Sequence, residues 1–195
     1  MTTNRTRRRL LQMGGAAAGA ALAGVFGRAP RAAAADLAAA PREPQTAAAK
    51  RGALFNLHTG EQLDVEFFRG GYVADSLAAI QVLLRDFRND EQHPIDPRLM
   101  DYLHDVARHA GVDPVFSVIS GYRSPQTNEQ LRERSSGVAR HSLHLEGRAI
   151  DVRLAGVHCA DLAGRALDLT RGGVGFYAKS DFVHLDTGAF RTWKG

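Results

Sequence analysis

Two short segments place histidines and acids where an apolar strand would otherwise run. In His141-Ser142-Leu143-His144-Leu145-Glu146-Gly147-Arg148-Ala149-Ile150-Asp151, two histidines and a carboxylate surround a glycine turn that leads into Ala149-Ile150-Asp151-Val152. An acid in the middle of such a run is costly to bury without a partner or a metal. Phe182-Val183-His184-Leu185-Asp186 repeats the pattern, with His and Asp alternating among Phe, Val and Leu. In a strand, His184 and Asp186 share one face. Two adjacent strands would therefore gather His144, Asp151 and His184 at one end of a sheet. Two neutral imidazoles and one carboxylate suit Zn²⁺, with a fourth position left for water. The same residues would also make a pair of buried His–Asp hydrogen bonds, and spacing alone does not separate the two readings.

The elements that must hold these groups follow from periodicity. Ala53–His58 and Leu63–Phe68 alternate in polarity around Thr59-Gly60-Glu61-Gln62, which predicts a β-hairpin. Asp75 is expected to cap a helix whose face carries Leu77, Ile80, Val82, Leu83, Leu84 and Phe87. Asp96-Pro97 opens a second helix ending near Gly111, and Ser124-Pro125 opens a short polar one reaching about Arg134. Val115–Ile119, Ala149–Val152, Val174–Tyr177 and Phe182–Leu185 read as strands, with a helix through Leu162, Ala166 and Leu169 closed by Gly172-Gly173. Connections are too short for a regular parallel βαβ series, so the expected class is α+β with a small, mainly antiparallel sheet packed with helices.

The remaining histidines, His58, His93, His104, His109 and His158, have no convergent polar neighbours in sequence and read as structural or solvent-facing. Cys159 follows His158, but adjacent helical residues do not face each other, so no Cys–His dyad is expected. As the single cysteine of 195 residues, it also excludes an intramolecular disulfide framework and multi-cysteine metal sites. Gly172-Gly173-Val174-Gly175 precedes a strand rather than a helix, so it is no phosphate loop; it permits tight turns or close substrate approach.

The net charge of +4 is unevenly placed. Residues 1–35 hold six arginines and no acid, leaving 19 bases against 21 acids beyond them. A mildly acidic remainder argues against nucleic-acid binding. The first 35 residues run from Arg7-Arg8-Arg9 through a weakly apolar Ala/Gly stretch to Arg31 and four alanines, the order of an export signal. The stretch is too short and glycine-diluted for a stable span, which needs about 20 strongly apolar residues. It resembles a twin-arginine signal, implying the twin-arginine export machinery as a partner and cleavage between Ala34 and Leu37. Residues 36–51 read as a flexible linker, and residues 52–195 as the folded domain.

The spacing His141-Ser142-x-His144-x-x-Gly147-x-Ala149-x-Asp151, followed by His184-x-Asp186, resembles the zinc D-Ala-D-Ala carboxypeptidase/dipeptidase family that includes VanX and VanY. Ser120-Gly121-Tyr122-Arg123-Ser124 matches that family's arginine segment. Leu84–Arg88, His93–Pro97, Ser136–Ala139 and Phe182–Gly188 are most similar to its YcbK-like (MepK-like) branch of exported murein endopeptidases. The resemblance implies a hedgehog/D-Ala-D-Ala peptidase-like fold and one Zn²⁺ held by His144, Asp151 and His184. It also implies Arg123 facing the scissile carbonyl, where a guanidinium stabilises the developing oxyanion; a structural ion pair to Asp or Glu is the alternative. Ser142 orients substrate or a ligand, or simply forms a turn.

For the general base the order is Asp181, then His141, then Asp186. The carboxypeptidase branch has an acid three residues before its last histidine. Regular alternation would point Asp181 away from His184 unless the strand starts later or bulges. Asp186 shares the face of His184 but has an alternative role in orienting a ligand. The implied activity is zinc-dependent hydrolysis of amide bonds in peptidoglycan stem peptides or cross-links, by an exported protein that is periplasmic or cell-wall associated. A D,D-carboxypeptidase or dipeptidase, or a non-catalytic zinc-containing module that binds peptidoglycan, is the alternative.

Overall fold

A computed structural model describes residues 48–195, residue 136 excepted. The export signal and most of the linker lie outside the described residues. The chain forms β1 (Lys50–Asn56) and β2 (Gln62–Phe68), then α1 (Ala74–Leu83), α2 (Pro97–Ala110) and β3 (Val115–Ser120). There follow α3 (Pro125–Arg134), a short 3₁₀ turn (Leu143–Glu146), β4 (Ala149–Leu154), α4 (Cys159–Asp168), β5 (Gly173–Tyr177), β6 (Phe182–Asp186) and β7 (Arg191–Lys194). β1 begins at Lys50, inside the segment expected to be linker. Among the described residues no helix is long and apolar enough to cross a membrane.

The α+β class holds, but the sheet is larger than expected and mixed rather than simply antiparallel. Its seven strands run in the order β2-β1-β3-β4-β6-β5-β7. β1 pairs parallel with β3, and β5 parallel with β7, while the other four pairings are antiparallel. The expected hairpin is β1–β2, with Leu54 opposite Leu63.

Strand alternation divides the chemistry from the core. Ile150, Val152 and Leu154 of β4 join Val183 and Leu185 of β6 in one buried cluster with Leu99, Leu103 and Val106 of α2 and Leu162 and Ala166 of α4. The other face of the same two strands carries Ala149, Asp151 and Arg153, and Phe182, His184 and Asp186. The β4–β6 register sets Asp151 opposite His184 and Ala149 opposite Asp186. A one-residue slip would exchange the faces, burying both carboxylates in the helix-packed core, so apolar burial itself specifies the register.

Helix ends follow local chemistry. Asp96 caps α2 by accepting from the Arg98 backbone N–H, with Pro97 in the first turn and Gly111 (φ 73°) closing the helix. Ser124 caps α3 through the Thr127 N–H, with Pro125 in its first turn. Asp75 does not cap α1: Val73 holds the cap position without a side-chain bond, and Asp75 sits in the first turn, where a carboxylate still opposes the positive end of the helix dipole. The 3₁₀ turn ends at Gly147, whose φ is 63° and where a Cβ would stand 2.1 Å from the Pro94 carbonyl oxygen. Only glycine satisfies both demands.

A fully buried carboxylate anchors the strand end that leads to Arg123. Asp86 accepts from the Ser124 N–H at 2.9 Å and the Arg88 N–H at 3.2 Å. Burial alone would raise its pKa, but hydrogen bonds from Thr127, Ser124 and Arg88 hold it below the ordinary carboxylate value. A group depressed in this way stabilises the fold above its unfolded pKa of about 3.9, and that contribution disappears as pH falls through the lower folded value. Asp86→Asn is therefore expected to lower unfolding free energy by about 2 kcal/mol at pH 7. The gap to wild type should narrow below about pH 4, as the wild-type carboxyl itself protonates. Chemical denaturation across pH measures both; a gap that widens in acid would contradict the role.

Candidate metal centre and cleft

His144, Asp151 and His184 are all buried, and each offers one ligand atom within 4.8 Å of the others. The 3₁₀ turn supplies His144, the middle of β4 supplies Asp151, and β6 supplies His184. The Nε2 atom of His144 lies 3.1 Å from Nδ1 of His184 and 3.2 Å from Oδ1 of Asp151, and His184 Nδ1 is 2.9 Å from that same oxygen.

The outward-facing nitrogens set the ring tautomers. His144 Nδ1 is 2.6 Å from the Gly121 carbonyl, which can only accept, so that nitrogen carries the proton. His184 Nε2 is 3.0 Å from Oδ2 of Asp186 and donates to it. Two imidazole lone pairs and a carboxylate oxygen therefore face one point, and only a cation satisfies all three. Burial, then the nearby Arg123, pushes the pKa of His144 down to about 4, so its ring is neutral at physiological pH. For Asp151, burial acts upward but the attraction and hydrogen bonding of His144 and His184 outweigh it, and the carboxyl lies well below its ordinary range. His184 is raised: burial opposes its charge, but hydrogen bonds to Asp151 and Asp186 prevail. Its Nδ1 proton and a metal ion are thus alternative occupants of the same point, and loading a metal releases the proton. A His₂Asp set with tautomers fixed from outside fits a divalent cation such as zinc.

Asp186 is fully buried and acts on the site through His184. It accepts from Arg191 at 3.0 and 2.7 Å, from the Gly173 N–H at 3.1 Å and from the Gly188 N–H at 2.8 Å. Burial disfavours its charge, but these donors and His184 hold it far below the ordinary carboxylate range. A carboxylate so saturated is a poor proton acceptor.

Arg123 donates to Oδ2 of Asp151 and, through Nε, to Ser120 Oγ at 2.9 Å. The ion pair foreseen as an alternative is thus formed, and its partner is the Asp151 carboxylate of the candidate centre. The Arg123 backbone N–H reaches the His144 carbonyl at 3.1 Å, and the Tyr122 N–H reaches the Leu84 carbonyl at 2.8 Å, locking the segment against the site.

The centre opens into a cleft of about 520 Å³ whose lining includes Arg123, His141, Ser142, Tyr177 and Trp193. His141 is exposed on its wall. Ser142 caps the 3₁₀ turn by accepting from the His144 N–H at 3.4 Å, the turn-forming role. Asp181 is not brought to the centre. It precedes β6 with φ 51°, is exposed, and pairs with Arg153 at 3.4 Å. Because β6 starts at Phe182 and its ladder with β4 is regular from Val183 to Asp186, no bulge redirects Asp181 toward His184.

Several contributors escaped the sequence reading. β7 brings Arg191 to Asp186 and sets Trp193 5.1 Å from the His184 ring, with its indole N–H donating to the Tyr177 hydroxyl at 3.0 Å. The glycine run that leads into and opens β5 explains how these groups fit. A Cβ at Gly172 would meet the Asp186 carbonyl at 1.8 Å, and one at Gly175 the Trp193 ring at 2.5 Å. The close approach expected of these glycines is made by the protein's own groups. His58, read as structural, lines the cleft and stacks on Phe87 at 3.9 Å. The carbonyl of Gly121 leaves no sequence signal beyond the glycine itself.

The profile of the peptidoglycan L,D-endopeptidase MepK family matches residues 44–193. The peptidoglycan L,D-endopeptidase MepK of Escherichia coli (strain K12) is 42% identical over 188 residues, 96% of each chain. The probable peptidoglycan L,D-endopeptidase MepK of Haemophilus influenzae is 42% identical over 142 residues, covering 72% of this chain and 76% of that one. No solved structure matches. By the extent of these matches, the chain belongs to the MepK family of M15 peptidases.

Proposed function

We propose that this chain is a peptidoglycan endopeptidase that hydrolyses an L,D peptide bond, with one zinc ion held by His144, Asp151 and His184. The observation that carries the reading is the convergence of three ligand atoms, buried yet bordered by an open cleft. A structural zinc site is closed by four protein ligands, whereas a catalytic one keeps a position open. Three ligands beside a cleft favour an enzyme over a binding module. The names of the relatives favour an endopeptidase over a carboxypeptidase or dipeptidase.

Bound zinc would supply Lewis acidity, lowering the pKa of a water and polarising the amide carbonyl. The protein's residues do the rest. Asp186 and the Gly121 carbonyl hold both rings in the ligating tautomer. Arg123 steadies Asp151 and offers its remaining N–H groups to the charge developing on the amide oxygen. Of the three candidate bases, His141 is the one that is neither remote nor saturated. We assign it the proton taken from water and returned to the leaving amine. Residues 1–35 would direct the protein to the compartment that holds its substrate, as a twin-arginine-type signal followed by a linker. The mature protein would then be periplasmic or wall-associated.

Incubating the protein with purified murein, with and without a chelator, tests the reading by product mass. Products split at an L,D bond are expected only without chelator; undiminished cleavage after verified zinc removal would falsify it. Asp186→Ala should weaken zinc affinity by about 10- to 100-fold in chelator competition, because it frees the His184 ring. An unchanged affinity would remove Asp186 from the site. His141→Ala should lower kcat by about 100-fold with zinc content intact, while Asp181→Ala stays near wild type. The reverse ranking would restore Asp181 as the base.

A further inference from the structure

Among the described residues, the cleft wall carries three guanidiniums, Arg88, Arg123 and Arg191, but a single carboxylate, Asp151. Two of the cations are committed: Arg191 to Asp186, and Arg123 to Asp151 and Ser120. Arg88 is different. Among the described residues no hydrogen bond from its guanidinium is formed, and its nearest carboxylate oxygen, Asp86 Oδ1, is 3.9 Å away. That carboxylate already accepts from the backbone N–H groups of Ser124 and of Arg88 itself.

The side chain is nevertheless held in place. Its Cζ lies 4.1 Å from the centroid of the Phe87 ring, which stacks on His58 at 3.9 Å and 10°. The backbone is fixed through the bond to Asp86. Burial, then Arg123, disfavours its charge, the attraction of Asp86 notwithstanding. A positioned planar fork with open donors, beside a second cation, is a receptor for an anion, and its geometry matches a carboxylate in a two-pronged contact.

Resting on the peptidase reading above, we propose that Arg88 binds a free carboxylate of the substrate peptide flanking the scissile amide, and so makes the enzyme select acidic over amidated stem peptides. Murein peptides carry such carboxyl groups, and their amides keep the shape while losing the charge. A site built around a charged partner rejects the neutral analogue because the cation is left desolvated and unpaired.

The test uses muropeptides that the wild-type enzyme cuts, in native form and after chemical amidation of their carboxyl groups. Wild type is expected to favour the native form by about 10- to 30-fold in kcat/KM, mainly through KM. Arg88→Gln should bring that ratio to within about twofold of unity, and Arg88→Lys, a point charge without the fork, should retain part of it. If Arg88 only props the Phe87 ring, substitution shifts Tm or slows both substrates alike and leaves the ratio unchanged. That result, or a wild type that cuts both forms equally, overturns the proposal. A wild type that cuts no murein at all fails the peptidase reading instead.

Discussion

Three ligand atoms aimed at one point, where a proton on His184 Nδ1 and a metal ion compete, govern this structure. Left alone, two imidazole lone pairs and a carboxylate oxygen repel each other, and burial removes the water that would screen them. The protein holds them together by claiming every other polar atom of the three side chains. The Gly121 carbonyl takes the outer N–H of His144, Asp186 takes that of His184, and Arg123 takes the second oxygen of Asp151. With those partners fixed, the centre demands a cation, and the cleft beside it supplies access. The hydrolytic reading follows from that demand.

The sheet is what makes the arrangement rigid. β4 and β6 bury Ile150, Val152, Val183 and Leu185 against α2 and α4, so the alternate positions are forced to the opposite face. Adding β5 and β7 on the far side of β6 brings Arg191 within reach of Asp186 and shields His184 with Trp193. On the other flank, Asp86 ties the segment after α1 to the start of α3, beside Arg123. The site is thus assembled from segments about a hundred residues apart, each pinned by a buried carboxylate that accepts several backbone or guanidinium donors.

Much of this was legible in the residues. His144, Asp151 and His184 stood out because polar groups in apolar strands are expensive, and Asp96, Ser124 and Gly111 announced helix ends through local chemistry. What stayed hidden depends on tertiary context. β7 is four residues of mixed polarity, too short for periodicity to register, and it pairs parallel with β5 across the intervening β6. The breadth of the sheet followed from that pairing and from the parallel β1–β3 contact. Asp181 looked eligible by its spacing from His184, yet it stands before β6 begins, with a positive φ, exposed and paired with Arg153. Arg88 stood out only as part of a family-like segment and His58 read as structural or solvent-facing, because both face a cleft built by other segments.

The central claim concerns protons on two rings, and it can be measured directly. Long-range ¹H–¹⁵N spectra of the histidine side chains in the zinc-loaded protein should show His144 protonated at Nδ1 and ligating through Nε2, and His184 protonated at Nε2 and ligating through Nδ1. A doubly protonated ring at either position, or the opposite tautomers, would contradict the account.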